Sequence, residues 1–274
     1  MNLTQPLTVL LPLLYFLAAS LYGMAYAGDK QPTWSTRAQR SVLLLAMASH
    51  LWLFWVHATK SDVFPVQGVT LTISAVALTT AMLFRFLTIR TPQASVGTLV
   101  LSCVGCLQLI ASAFGPMTAG EGATPRDAIA ILHILMMLLA SAALILSGAY
   151  GWLHLVQYRQ MRRRVFGSLF RNLPSLELLS SMVRRTALAG FICLTLGLNV
   201  GIGLGHARPV HEFRYGDPQV ILIIGLWVYF GVIAFSRRIP GLNARRASTM
   251  AIGGLLALLT SLALMATNLS FHAS

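Results

Sequence analysis

Acidic residues are scarce in this chain. Only seven of its 274 residues are Asp or Glu, and charged residues of both signs make up 10%. An ordinary soluble domain is about 25% charged, so this composition cannot clothe a water-soluble surface. None of the acids falls deep inside a long apolar run. That argues against proton-coupled transport, which commonly uses intramembrane carboxylates. Cysteine is sparse too. Cys103, Cys106 and Cys193 all lie within apolar stretches, and no disulfide framework follows from them. Cys103 and Cys106 form a C-x-x-C without a βαβ context, and buried small hydrophobes are the plainer reading. The sequence has no P-loop, no H-E-x-x-H and no Ser-His-Asp arrangement. The glycine run from Gly201 to Gly205 follows no strand, so it suits close helix packing rather than nucleotide binding. The chain therefore reads as a non-enzyme.

What is present is apolar. Hydrophobic residues make up 56% of the chain, and the mean hydropathy is +0.73. Disorder is excluded, because the chain is rich in what packs. A spanning helix needs roughly 20 mainly apolar residues. Eight segments qualify: 7–27, 39–58, 66–87, 94–115, 127–155, 186–206, 218–236 and 247–270. The expected fold class is all-α, a polytopic bundle of eight transmembrane helices forming one integral membrane domain over residues 1–274. Ala25-Tyr26-Ala27 looks like a signal cleavage site, but residues 1–10 carry no Lys or Arg. The first segment is therefore expected to be a retained helix.

The basic residues are not evenly spread. Sixteen of the twenty lie in the connections after the first, third, fifth and seventh segments. The positive-inside rule then puts both termini on the outer (periplasmic) side and the arginine loops in the cytoplasm. The net charge of +13 becomes an orientation signal and a contact with anionic lipid head groups, not a nucleic-acid footprint. The longest connection, 156–185, interleaves Tyr158, Val165, Phe166, Leu169 and Phe170 with arginines. This predicts an amphipathic cytoplasmic linker in the membrane interface. It should break at Pro174, with Ser175 capping a short second helix over 176–184.

Six of the seven histidines belong to the outer half in this topology: His50, His57, His133, His206, His211 and His272. His57 and His154 read as ordinary interfacial residues. His133 interrupts an apolar run about two turns into the fifth segment, roughly 9 Å from its start. A polar side chain in a span usually faces the bundle interior. Neutral imidazole is also a metal ligand and a haem axial ligand. His133 and His272 would make a pair of iron ligands if the fifth and eighth helices are neighbours. In the outer loop 206–218, Phe213 and Tyr215 offer flat faces to a porphyrin, and Arg208 or Arg214 a partner for its propionates. A plain polar loop with aromatic interface anchors accounts for the same residues.

The order of features resembles a known family. A His early in a helix is followed by an inner arginine-rich linker with Leu173-Pro174-Ser175-Leu176-Glu177. After another span come an aromatic outer loop ending Asp217-Pro218, a helix with Trp227, a basic turn, and a last helix ending in His272. This resembles the cytochrome c assembly protein family, the CcsA/CcmC group, and most of all its smaller YpjD/HemX-type members. The resemblance is best over 126–274. It is weaker over the first four helices, where Leu11-Pro12-Leu13-Leu14-Tyr15 and His50-Leu51-Trp52-Leu53-Phe54-Trp55 fit the subgroup.

The resemblance implies a multi-pass protein of the bacterial inner (plasma) membrane that takes part in cytochrome c-type biogenesis. It implies a non-covalent b-type haem with His133 and His272 as axial ligands. His211, Phe213, Arg214, Tyr215 and Asp217 would belong to the haem-binding platform. Implied partners are the lipid bilayer and other cytochrome c maturation proteins or apocytochrome. The family's Trp-Gly-x-x-Trp-x-Trp-Asp pattern is absent, with Phe213 and Tyr215 where tryptophans are expected. The region where haem-translocating members carry an inner His reads Ala234-Phe235-Ser236. A haem-free scaffold or HemX-like regulator acting through the linker is therefore the alternative.

Overall fold

Long apolar runs fold into long helices here. A computed structural model describes residues 4–27, 33–60, 66, 68–89, 94–113, 127–164, 173–207 and 218–266. The described residues form eight α-helices: α1 (Thr4–Ala27), α2 (Thr33–Lys60), α3 (Gly68–Thr88), α4 (Ala94–Ala113), α5 (Ala128–Arg162), α6 (Leu176–Ala207), α7 (Pro218–Ala234) and α8 (Ala244–Ala266). A single 3₁₀ turn, Ser236–Arg238, follows α7. The first six helices are long and apolar enough to cross a bilayer, and α7 holds a shorter apolar stretch, Val220–Ala234. Outward-facing side chains such as Trp52, Trp55 and Phe86 are large, apolar and exposed, as a lipid-facing surface requires.

Local chemistry sets several helix ends. The Asp127 carboxylate accepts the Ile129 amide at the start of α5, satisfying a backbone donor that has no partner within the helix. Ser175 Oγ accepts the Leu178 amide at the start of α6. Asn243 Oδ1 accepts the Arg246 amide at the start of α8. Gly241, with φ of 79°, makes the turn before α8, and Arg246 Nη1 donates to its carbonyl.

Two expectations for the linker are corrected. The helix foreseen at 127–155 continues to Arg162. The short helix foreseen at 176–184 and the span at 186–206 are one helix of 32 residues. The reason is that Met182-Val183-Arg184-Arg185-Thr186-Ala187 holds charge but no Pro or Gly, and a change of polarity does not break a helix. The interval between α5 and α6 is therefore 163–175, not 156–185. The expected interfacial helix, with Val165, Phe166, Leu169 and Phe170, lies outside the described residues.

The helices pack as two groups of four. In the first, α1 lies between α2 and α4 and α4 packs on α3; in the second, α5 is clasped by α6 and α8, with α7 outside. The groups join mainly where α3 meets α5. Sequential helices run antiparallel, so the ends rich in arginine collect on one side. There the Arg245 guanidinium sits over the Tyr158 ring, 5.4 Å from its centre. Glycines let the backbones of the second group approach closely. Gly190, Gly197 and Gly201 of α6 face α5, and Gly148 and Gly151 of α5 face α8. A Cβ on Gly151 would lie 2.8 Å from the backbone oxygen of Ser248.

Candidate functional site

His133 sits one turn and a half into α5, half-buried against α6. Its Nδ1 lies 2.8 Å from the carbonyl oxygen of Gly197. A carbonyl only accepts, so Nδ1 carries the hydrogen, and in a neutral ring the lone pair is then on Nε2. The ring rests on Gly201, one turn further along α6. A Cβ there would come within 2.7 Å of His133 Cε1 and 3.0 Å of Nδ1. Among the described residues nothing hydrogen-bonds Nε2. An imidazole whose Nδ1–H is held by a carbonyl and whose Nε2 is open is the arrangement metal-ligating histidines use.

The pairing condition for His133 and His272 is met at the level of helices. The helices α5 and α8 are neighbours and antiparallel, as the contacts of Gly148 with Leu255 and of Gly151 with Ser248 show. Following that register from Gly151 back to His133 brings α8 to Ala266, the last helical residue described. His272 itself lies outside the described residues. So do His211, Phe213, Arg214, Tyr215 and Asp217 of the outer loop, and Arg208.

The helix beyond that loop is anchored to α6. The Trp227 indole donates to Thr195 Oγ1 at 2.7 Å and stacks on Phe191, with centres 5.3 Å apart. His206, in the last turn of α6, donates from Nδ1 to the Ile202 carbonyl, and His57 does the same to Leu53. Cys103, Cys106 and Cys193 are free thiols.

Sequence reasoning passed over His50. It is fully buried and joins four helices. Its Nδ1 lies 3.0 Å from the Tyr15 hydroxyl, its Nε2 lies 2.8 Å from Ser74 Oγ, and Ser74 Oγ donates to Gln108 Oε1 at 2.9 Å. An amide oxygen only accepts, which fixes the direction. Tyr15 donates to a neutral His50, His50 to Ser74, and Ser74 to Gln108. The ring also stacks on Phe54, with centres 5.5 Å apart. The sequence offered only a weak signal, since each of the four spans holds other Ser or Thr residues beside the one that joins the chain.

Comparison with known proteins adds a relationship. Residues 34–272 match the family described as cytochrome C assembly protein. The matched region contains His133, the loop 206–218 and His272. The chain is also 27% identical over 134 residues to Protein HemX of Brevibacillus brevis, a match covering 46% of this chain and 49% of that protein. It thus spans about half the length of that curated relative.

Proposed function

The chain belongs to the cytochrome c assembly protein family, and from that premise we propose that it handles haem in a bacterial inner membrane during cytochrome c-type biogenesis. In this reading all eight helices span, including α7 and the 23-residue α8. Both termini then face outward and the arginine-rich end faces the cytoplasm. The collection of arginines at one end of an antiparallel bundle supports that orientation.

In this reading His133 and His272 would hold the iron of a non-covalent b-type haem. The residues His211, Phe213, Arg214, Tyr215 and Asp217 form the proposed platform. The observation that carries the reading is the His133 geometry: Gly197 fixes the tautomer, Gly201 makes room for the ring, and Nε2 stays open. When bound, haem supplies iron redox and ligand exchange. The chain's own part is to orient the imidazole and hold α8 beside it. No catalytic side chain is invoked. The proposed partners are other maturation proteins or apocytochrome.

The test is a reduced-minus-oxidised absorption spectrum of the purified protein after haem supplementation. Soret and α bands are expected, and they should be lost in His133→Ala and in His272→Ala. Absent bands, or bands unchanged in both variants, overturn the haem reading.

The similarity to HemX favours one second reading, a haem-free scaffold or regulator acting through the basic linker. Deleting residues 165–172 should then abolish function while both histidine variants behave normally. The reverse outcome removes this idea.

A further inference from the structure

The arginine-rich end of the bundle contains a cleft of about 420 Å³, lined by Ser175, Glu177, Ser181, Arg184, Arg185 and Arg237. It lies between the first turns of α6 and the 3₁₀ turn after α7. We propose that this cleft is a binding site for a phosphate-bearing anion, with an anionic phospholipid headgroup as its ligand.

Three arginines line one opening, and Arg184 lies within electrostatic range of both Arg185 and Arg237. Among the described residues none of them has a carboxylate at ion-pair distance. Glu177 lines the same cleft, which leaves a net of two positive charges there. Like charges at such range repel, and water and salt screen them only partly. A bound anion relieves that repulsion. The donors also suit phosphate. A guanidinium presents parallel N–H groups that match two phosphate oxygens. Arg184 is steadied by a long hydrogen bond from Nη1 to Ser180 Oγ, one turn back. The first turn of α6 adds backbone N–H groups and the positive end of the helix dipole. Ser175 adds a hydroxyl hydrogen, its oxygen accepting the Leu178 amide, while the Ser181 hydroxyl is spent on the Leu178 carbonyl.

A lipid source is favoured by where the cleft lies. It opens at the end of a membrane bundle, where headgroups sit if α6 spans. Leu178, a partly exposed apolar side chain, also lines it. Leu178 gives the glycerol backbone or acyl chain an apolar edge that free phosphate does not need.

The test uses delipidated full-length protein in detergent. Thermal stabilisation is titrated with phosphatidylglycerol, phosphatidylcholine and inorganic phosphate. Phosphatidylglycerol should stabilise the wild type saturably. Replacing Arg184 and Arg237 together by Gln should weaken its apparent Kd at least fivefold. Replacing Arg163 and Arg238, exposed at the same end but not lining the cleft, should change it less than twofold. Equal weakening by both pairs means diffuse attraction and overturns the site. Saturation by inorganic phosphate alone keeps the site but assigns it to the free anion. Wild-type protein gives a second measure, in case the Gln variant fails to fold. In phosphatidylglycerol vesicles, Arg184 and Arg237 should react with phenylglyoxal several-fold more slowly than in phosphatidylcholine vesicles, with Arg238 unchanged. Equal rates overturn the proposal.

Discussion

The imidazole of His133 lies against the bare Cα of Gly201, where a Cβ would stand 2.7 Å from its Cε1. Gly201→Ala should therefore push the ring off the Gly197 carbonyl. The expected cost is about 1–3 kcal/mol, typical of overpacking, together with weaker or shifted haem bands. Gly203→Ala is the control, because an added Cβ there meets nothing within 4 Å. Its thermal midpoint and spectrum should stay at the wild-type values. Identical spectra in the two variants would separate the ring's seat from haem binding.

A second close approach holds α8. The Cβ of Gly151→Ala would face the Ser248 carbonyl oxygen, a backbone atom that cannot rotate away. Separation of α5 from α8 should lower stability by about 2 kcal/mol or more, read by unfolding in mixed micelles. Gly225→Ala, with open space around its added Cβ, should be neutral.

The His50 chain is expected to be structural. His50→Leu strands the Tyr15 hydroxyl and leaves Ser74 without its donor. A loss of about 1–2 kcal/mol is expected, given that hydrogen bonds between membrane helices contribute about 0.6 kcal/mol on average and up to about 1.7. A double-mutant cycle with Ser74→Ala should show coupling above about 0.5 kcal/mol. Haem bands should persist. Their loss would draw His50 into the proposed site.

Trp227→Phe removes the indole donor but keeps a ring over Phe191. The lost bond to Thr195 should cost about 0.5–1.5 kcal/mol. Thr195→Val should cost a similar amount, and the double variant no more than the larger single loss. Additive losses would mean the two side chains act separately.

Orientation is open to a direct check. Alkaline phosphatase fused after Ser274 should be active, and fused after Asn243 inactive. The opposite pattern would reverse the proposed sidedness.

The eight described helices were legible as apolar runs, six of them long and apolar enough to cross a bilayer, and most described ends fell within a few residues. The exceptions, α2, α5 and α6, run past their apolar parts into arginine. Composition marks where lipid contact stops, not where hydrogen bonding stops. Helix neighbours were not legible. Lipid-facing and helix-facing sides are both apolar, so Trp52 and Leu53, one exposed and one buried, look alike in sequence. The pairing of α5 with α8 needed the contacts of Gly148 and Gly151. His133 stood out because it broke an apolar run, whereas His50 became informative only once Tyr15, Ser74 and Gln108 were seen around it. They come from three other helices, and nothing in their spacing along the chain announces that they meet.

The clasp around α5 also sets an order in time. A ribosome delivers α5 before either helix that grips it, and α8 is the later of the two to emerge. Until Ala244–Ala266 has entered the bundle, the seam at Gly148 and Gly151 has no partner. The helix bearing His133 therefore reaches its final environment only after α8 has been made. Nascent chains halted in the α7–α8 turn should hold α6 against α5 and yet leave the far side of α5 open to other insertion partners.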